Sequence, residues 1–77
     1  MEFEWRPGHK LSTRVDDEAT VIAGNAEGLA SLADHLLRLA ADEAPPGAHL
    51  HLDDLSGLEP GSVEIIIERI QDLPASY

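Results

Sequence analysis

The sequence predicts an α+β fold: a single amphipathic helix packed on one face of a mostly antiparallel, four- to five-stranded sheet. Three observations predict it. Short runs of polar–apolar alternation flank the middle of the chain, the middle itself has apolar residues at spacings of three and four, and Pro- or Gly-containing breaks separate the pieces. The element order is β-β(-β)-α-β-β. Seventy-seven residues make one small domain, residues 1–77, with no room for a second core.

The first strand is Glu2 to Arg6, whose period of two puts Phe3 and Trp5 on one face. Pro7-Gly8 breaks it. Lys10 to Val15 is a second extended piece with poor alternation. Asp16-Asp17-Glu18 reads as an acidic turn, and Ala19 to Ala23 as a strand rich in β-branched residues. Asn25 is placed to cap a helix, because its side-chain oxygen can accept from a free first-turn amide. From Ala26 the period changes: Leu29, Leu32, Ala33, Leu36, Leu39 and Ala40 form one stripe, which Leu37 widens.

Gly28 costs helix stability relative to Ala, about 1 kcal/mol, which suggests a close backbone approach. Asp34 and Arg38 are spaced for an i,i+4 ion pair, and His35 falls on the flank of the stripe. Pro45-Pro46-Gly47 stops the helix near Glu43. Ala48 to Leu52 alternates again, and Val63 to Ile70 is the strongest strand signal in the chain. Leu50, Leu52, Val63, Ile65 and Ile67 supply the apolar face that the helix needs. The opposite face then shows His49, His51, Asp53, Glu64, Ile66 and Glu68. The tail from Gln71 to Tyr77 is expected to fray.

Composition narrows the function. Five Lys or Arg against fifteen Asp or Glu give a net charge of −10, which opposes binding to nucleic acid or an anionic membrane. The longest apolar run is Ile65-Ile66-Ile67, too short to cross a membrane, and no signal peptide is expected from the opening residues. The absence of Cys removes disulfides and thiolate metal sites and fits a cytoplasmic location. Between Asp42 and Asp72 there are eight carboxylates and one cation, Arg69. Such a run is ordinary solvating charge, or it steers the chain toward a basic partner.

His49-Leu50-His51-Leu52-Asp53-Asp54 is the most distinctive string. Alternate residues of a strand project on one side, roughly 6.6 Å apart, so His49, His51 and Asp53 could chelate a metal with help from Glu64 or Glu68. The same residues equally suit a partner-contact patch or a plain solvated strand face. No nucleophile motif is present among the Ser and Thr residues, and the Gly24–Gly28 turn lacks the third glycine and the Lys of a phosphate loop. No catalytic residue and no cofactor are therefore expected. His9 has no partner in sequence and is assigned to the surface, and Trp5 is a core residue or, if exposed, an aromatic anchor.

Several pieces between Gly24 and Ile70 carry a resemblance. They are Gly24-Asn25, Gly28-Leu29, Leu32-Ala33, Leu36 and Leu39-Ala40, followed by Gly47, His49, His51-Leu52-Asp53, Leu58-Glu59, Gly61-Ser62 and Glu64. This stretch resembles the immunity protein 32 family of bacterial polymorphic-toxin systems. The resemblance implies an intracellular, non-enzymatic inhibitor that binds and neutralises a cognate toxin. The acidity suggests a toxin with a cationic surface, such as a nuclease. The expected contact residues are His49, His51, Asp53, Asp54, Glu59, Glu64 and Glu68. Two rivals stand beside this reading: a metal-binding protein or metal-dependent enzyme using His49, His51 and Asp53, and a homodimer paired through an open sheet edge.

Overall fold

The computed structural model of the chain describes residues 4–71. Its elements run β1 (Leu11–Asp16), β2 (Ala19–Gly24), α1 (Ala26–Leu39), β3 (His49–Leu52) and β4 (Ile65–Glu68). β1 and β2 form an antiparallel hairpin that pairs Leu11 with Gly24 and Asp16 with Ala19. The acidic turn closes it, with Asp17 in the left-handed region at φ 59°, where Asp is tolerated better than most side chains. The helix begins as expected. Asn25 Oδ1 accepts from the Gly28 amide at 2.8 Å and from the Lys10 amide at 2.9 Å.

The four strands do not make the single sheet that the alternation suggests. They form two separate two-stranded sheets, β1–β2 and β3–β4. The reason lies in the β3–β4 connection, which runs along the free edge of β1. Glu59 N–H donates to the Leu11 carbonyl at 2.8 Å, and Val63 N–H to the Thr13 carbonyl at 3.1 Å. Between them stand Pro60, which has no N–H to give, and Gly61, at φ 84°. A ladder cannot propagate through that pair, so a seam of isolated bonds replaces it. Thr13 adds two bonds of its own to the seam: its amide donates to Ser62 Oγ at 3.2 Å, and its hydroxyl donates to the Val63 carbonyl.

The expected first strand is also absent where it can be assessed. Glu2 and Phe3 lie outside the described residues, and residues 4–6 have no regular structure. They cross the helix instead. The Arg6 amide donates to Ser31 Oγ at 2.9 Å, while the Arg6 guanidinium meets Asp34 at 3.1 Å and Glu4 meets Arg38 at 3.5 Å. The Asp34–Arg38 pair expected from spacing is thus replaced by two longer-range pairs.

This segment turns the helix. Its buried face is Gly28, Ser31, Leu32, His35 and Leu39, whereas Leu29, Ala33, Leu36 and Ala40 of the expected stripe face solvent. Gly28 permits the turn, since a Cβ there would fall inside the contact radius of the Lys10 carbonyl oxygen. His35, expected at the boundary, is fully buried. The helix also stops earlier than Glu43. It ends at Leu39 with Ala40 as C-cap, where the Arg69 guanidinium donates to the Leu39 carbonyl at 3.1 Å and to the Ala41 carbonyl. Leu11, Leu32, Leu52 and Leu58 form the core, with Trp5, Ile65 and Ile67 packed against it. Trp5 is therefore a core residue, not a free anchor. The tail from 72 onward lies outside the described residues.

Candidate functional site

The β3–β4 hairpin sorts its side chains by the period-two rule. Its antiparallel register pairs His49 with Glu68, Leu50 with Ile67, His51 with Ile66 and Leu52 with Ile65. Leu50 and Leu52 have no exposed surface, and Ile65 and Ile67 are half-buried beside them. The other face presents His49, His51, Ile66 and Glu68, all exposed. Val63, expected on the inner face, precedes β4 and is exposed.

Asp53 and Glu64 extend this face past the ends of the strands. Glu64 Oε2 lies 3.1 Å from His51 Nε2, and Asp53 Oδ2 lies 3.7 Å from the same nitrogen. The Asp53 carboxylate is fixed by the turn that it begins. Its Oδ1 accepts from the Leu55 amide at 2.9 Å and from the Ser56 hydroxyl at 3.0 Å. Those two bonds, the Leu55 amide first, hold its carboxyl below the usual aspartate value, with a smaller contribution from His51; desolvation opposes them and loses. His49 is less engaged. Its Nδ1 lies 3.3 Å from the Gly47 carbonyl, and no ion pair joins it to Glu68 among the described residues.

Of the residues expected from sequence, the hairpin gathers His49, His51, Asp53, Glu64 and Glu68 on one face, with Asp54 exposed in the adjoining turn. Glu59 sits apart, on the seam beside β1, lining a groove with Lys10, Leu11 and Asn25. For a metal, the group whose ligand atoms converge is His51, Asp53 and Glu64, all within 4.8 Å of one another. His49 is not in it, so the expected His49–His51–Asp53 chelate is not the set that the fold assembles. Sequence reasoning passed over Leu55, which is 92% exposed at the tip of the Asp53 turn. Its signal was a lone apolar residue set between Asp54 and Ser56-Gly57, where no strand or helix could draw it inward.

Arg69, the one cation in the acidic half of the chain, is turned inward onto the helix C-terminus and leaves the face uncompensated. The family model of immunity protein 32 matches residues 19–70, from β2 through β4. The chain belongs to the immunity protein 32 family. Immunity protein 32 membership implies a cognate toxin as partner and a neutralising role without turnover. No curated protein and no solved structure matches the chain significantly. The part matched to immunity protein 32 contains the whole His–carboxylate face but not β1. Among the described residues, no helix is long and apolar enough to cross a membrane.

Proposed function

We propose that this chain neutralises its toxin in the cytoplasm by laying the β3–β4 face over a cationic site, a nuclease groove being the partner type that its charge fits. The carrying observation is the uncompensated field: Asp53, Asp54, Glu64 and Glu68 cluster there while Arg69 turns away. Ile66, 59% exposed amid these charges, supplies an apolar centre, with Leu55 on the adjoining turn. His49 and His51 contribute donors beside the carboxylates, and Glu59 adds to the field from the seam. Steering by such a field raises association rates by roughly 10- to 1,000-fold and fades with salt.

The test is co-expression with the product of the neighbouring open reading frame, followed by titration of the purified pair. Rescue of growth and a stable complex are expected. The double substitution Glu64→Lys with Glu68→Lys should weaken that complex at least tenfold, since both side chains are exposed and the circular dichroism spectrum should not change. An unchanged dissociation constant would move the interface off this face.

A second reading rests on the convergence of His51, Asp53 and Glu64. One imidazole and two carboxylates suit a divalent transition metal. Thermal shift and metal analysis of the untagged protein decide it: no shift with zinc, nickel or iron, and substoichiometric metal, would end this reading.

A further inference from the structure

A leucine at the tip of a turn adds nothing to the core, and a single exposed one is ordinary. The turn beneath Leu55, however, is held from within and from outside. Within it, the Asp53 carbonyl accepts from the Ser56 and Leu58 amides, both at 3.1 Å, and Ser56 Oγ accepts from the Asp53 amide at 2.9 Å. These join the two bonds onto Asp53 Oδ1. From outside, residues 5–9 close on Gly57. The His9 amide donates to the Arg6 carbonyl at 3.1 Å across Pro7-Gly8, and the His9 ring lies on the Trp5 indole with planes within 18°. A carbonyl can only accept, so His9 Nε2 carries the proton that it donates to the Gly57 oxygen. The indole lies against the same residue: a Cβ on Gly57 would overlap it, and φ is 114° there, which glycine adopts without strain. The segment is itself tied down, by the Arg6 amide on Ser31 Oγ and by Asn25 Nδ2, which donates to the Gly8 carbonyl at 2.9 Å.

We propose that Trp5 and His9 are positioning residues for toxin recognition, holding the 53–57 turn so that Leu55 stands as a preset apolar anchor in the acidic face. The inference rests on the toxin-facing reading of the β3–β4 hairpin and adds the shape of the partner: an apolar socket rimmed by Lys or Arg. Charge sets the rim. Asp53 and Asp54 directly precede Leu55, and Glu64 shares His51 with Asp53. An apolar centre within a polar rim is the common anatomy of an interface. Rigidity sets the worth of the anchor, since a turn already ordered loses little freedom on binding. Neither ring has to touch the toxin. Both precede the part matched to the family, residues 19–70, so recognition by the matched hairpin depends on chain outside it.

The test uses the full chain and the co-expressed toxin, read by binding kinetics and amide exchange. His9→Phe keeps an aromatic ring on Trp5 and removes only the bond to Gly57. In the free protein, exchange at Ser56 and Leu58 should quicken while the circular dichroism spectrum stays unchanged. The toxin should leave this variant about three- to tenfold faster, with its association rate unaltered. Leu55→Ala should speed dissociation at least about tenfold, the loss of a seated leucine side chain. Adding His9→Phe to Leu55→Ala should then change nothing more, because His9 acts through Leu55. Additive effects, or a His9→Phe complex as long-lived as the parent's, overturn the proposal. If Glu64→Lys with Glu68→Lys weakens the complex but Leu55→Ala and His9→Phe do not, this inference falls alone. If none of these variants weakens it, the acidic-face reading falls as well.

Discussion

Trp5 stands edge-on to His35, with ring centroids 4.9 Å apart and planes inclined by 68°. Its indole also stacks on His9 at 4.7 Å, and His9 Nε2 lies 3.0 Å from the Gly57 carbonyl. His9 is thus no idle surface residue. One aromatic ring ties the 4–10 segment to both the helix and the turn after β3. Burial, and then the Arg38 guanidinium, push the His35 imidazole below its ordinary value; the Glu4 backbone and the Asp34 and Glu4 carboxylates pull the other way and do not prevail.

A lowered histidine value means that protons prefer the unfolded chain. The stability tied to neutral His35 is fully present above the unfolded value, about 6.5, and is lost as pH falls below it through the lowered folded value. Urea midpoints should therefore fall between pH 8 and pH 5.5, and His35→Leu should shrink that difference. Equal slopes in both proteins would show that water reaches the imidazole.

Gly28→Ala tests the close approach of helix and chain. Alanine gains about 1 kcal/mol of helix propensity, yet its methyl group would overlap the Lys10 carbonyl, a backbone atom that cannot swing aside. A net loss of about 1–3 kcal/mol is expected in thermal unfolding. A stabilised variant would mean that residues 8–10 move off the helix at little cost.

Arg69→Ala should remove two bonds to the carbonyls of Leu39 and Ala41, at about 1–3 kcal/mol by denaturant titration. Lysine has a compact ammonium in place of the planar fork, so Arg69→Lys should recover only part of the loss. Full recovery would reduce the role of Arg69 to simple charge at the helix terminus.

Asp53 supports its turn only while ionised. With its carboxyl held low, that support is present above the ordinary aspartate value of 3.8 and disappears as pH falls through the lowered value. Carboxyl carbon NMR should show Asp53 titrating below 3.8. Asp53→Ala should speed amide exchange at Leu55, whose N–H loses its acceptor; unchanged exchange would show that the turn holds without the carboxylate.

Much of this could be read from the chain because it is governed by short-range periodicity. The alternation His49-Leu50-His51-Leu52 gave the correct inward pair, and Ile65 and Ile67 met it across the hairpin. The Asn25 cap was equally local. What escaped depended on distant chain. His35 looked marginal because nothing adjacent in sequence announces that Trp5 lies over it. The helix face rotated because residues 4–10 compete with the strands for its surface, and the Asp34–Arg38 spacing could not anticipate Arg6 and Glu4 as better-placed partners. The acidic face was visible as residues, but Glu59 strayed from it because a loop's path is not periodic.

The interruption at Pro60 and Gly61 has a mechanical consequence. A continuous ladder transmits shear from strand to strand, so a sheet docks or resists as one plate. Here isolated bonds take the place of a ladder, with Glu59 and Val63 donating to β1 and Ser62 accepting from it, while each hairpin keeps its own full pairing. The hairpin bearing the carboxylates is therefore held to its neighbour by a few stitches and by the core that Leu52 shares with Leu11 and Leu32, not by a ladder. What keeps the two hairpins in register is thus mostly side-chain packing, so a cavity made at Leu52 should loosen the seam before it unzips either pair of strands.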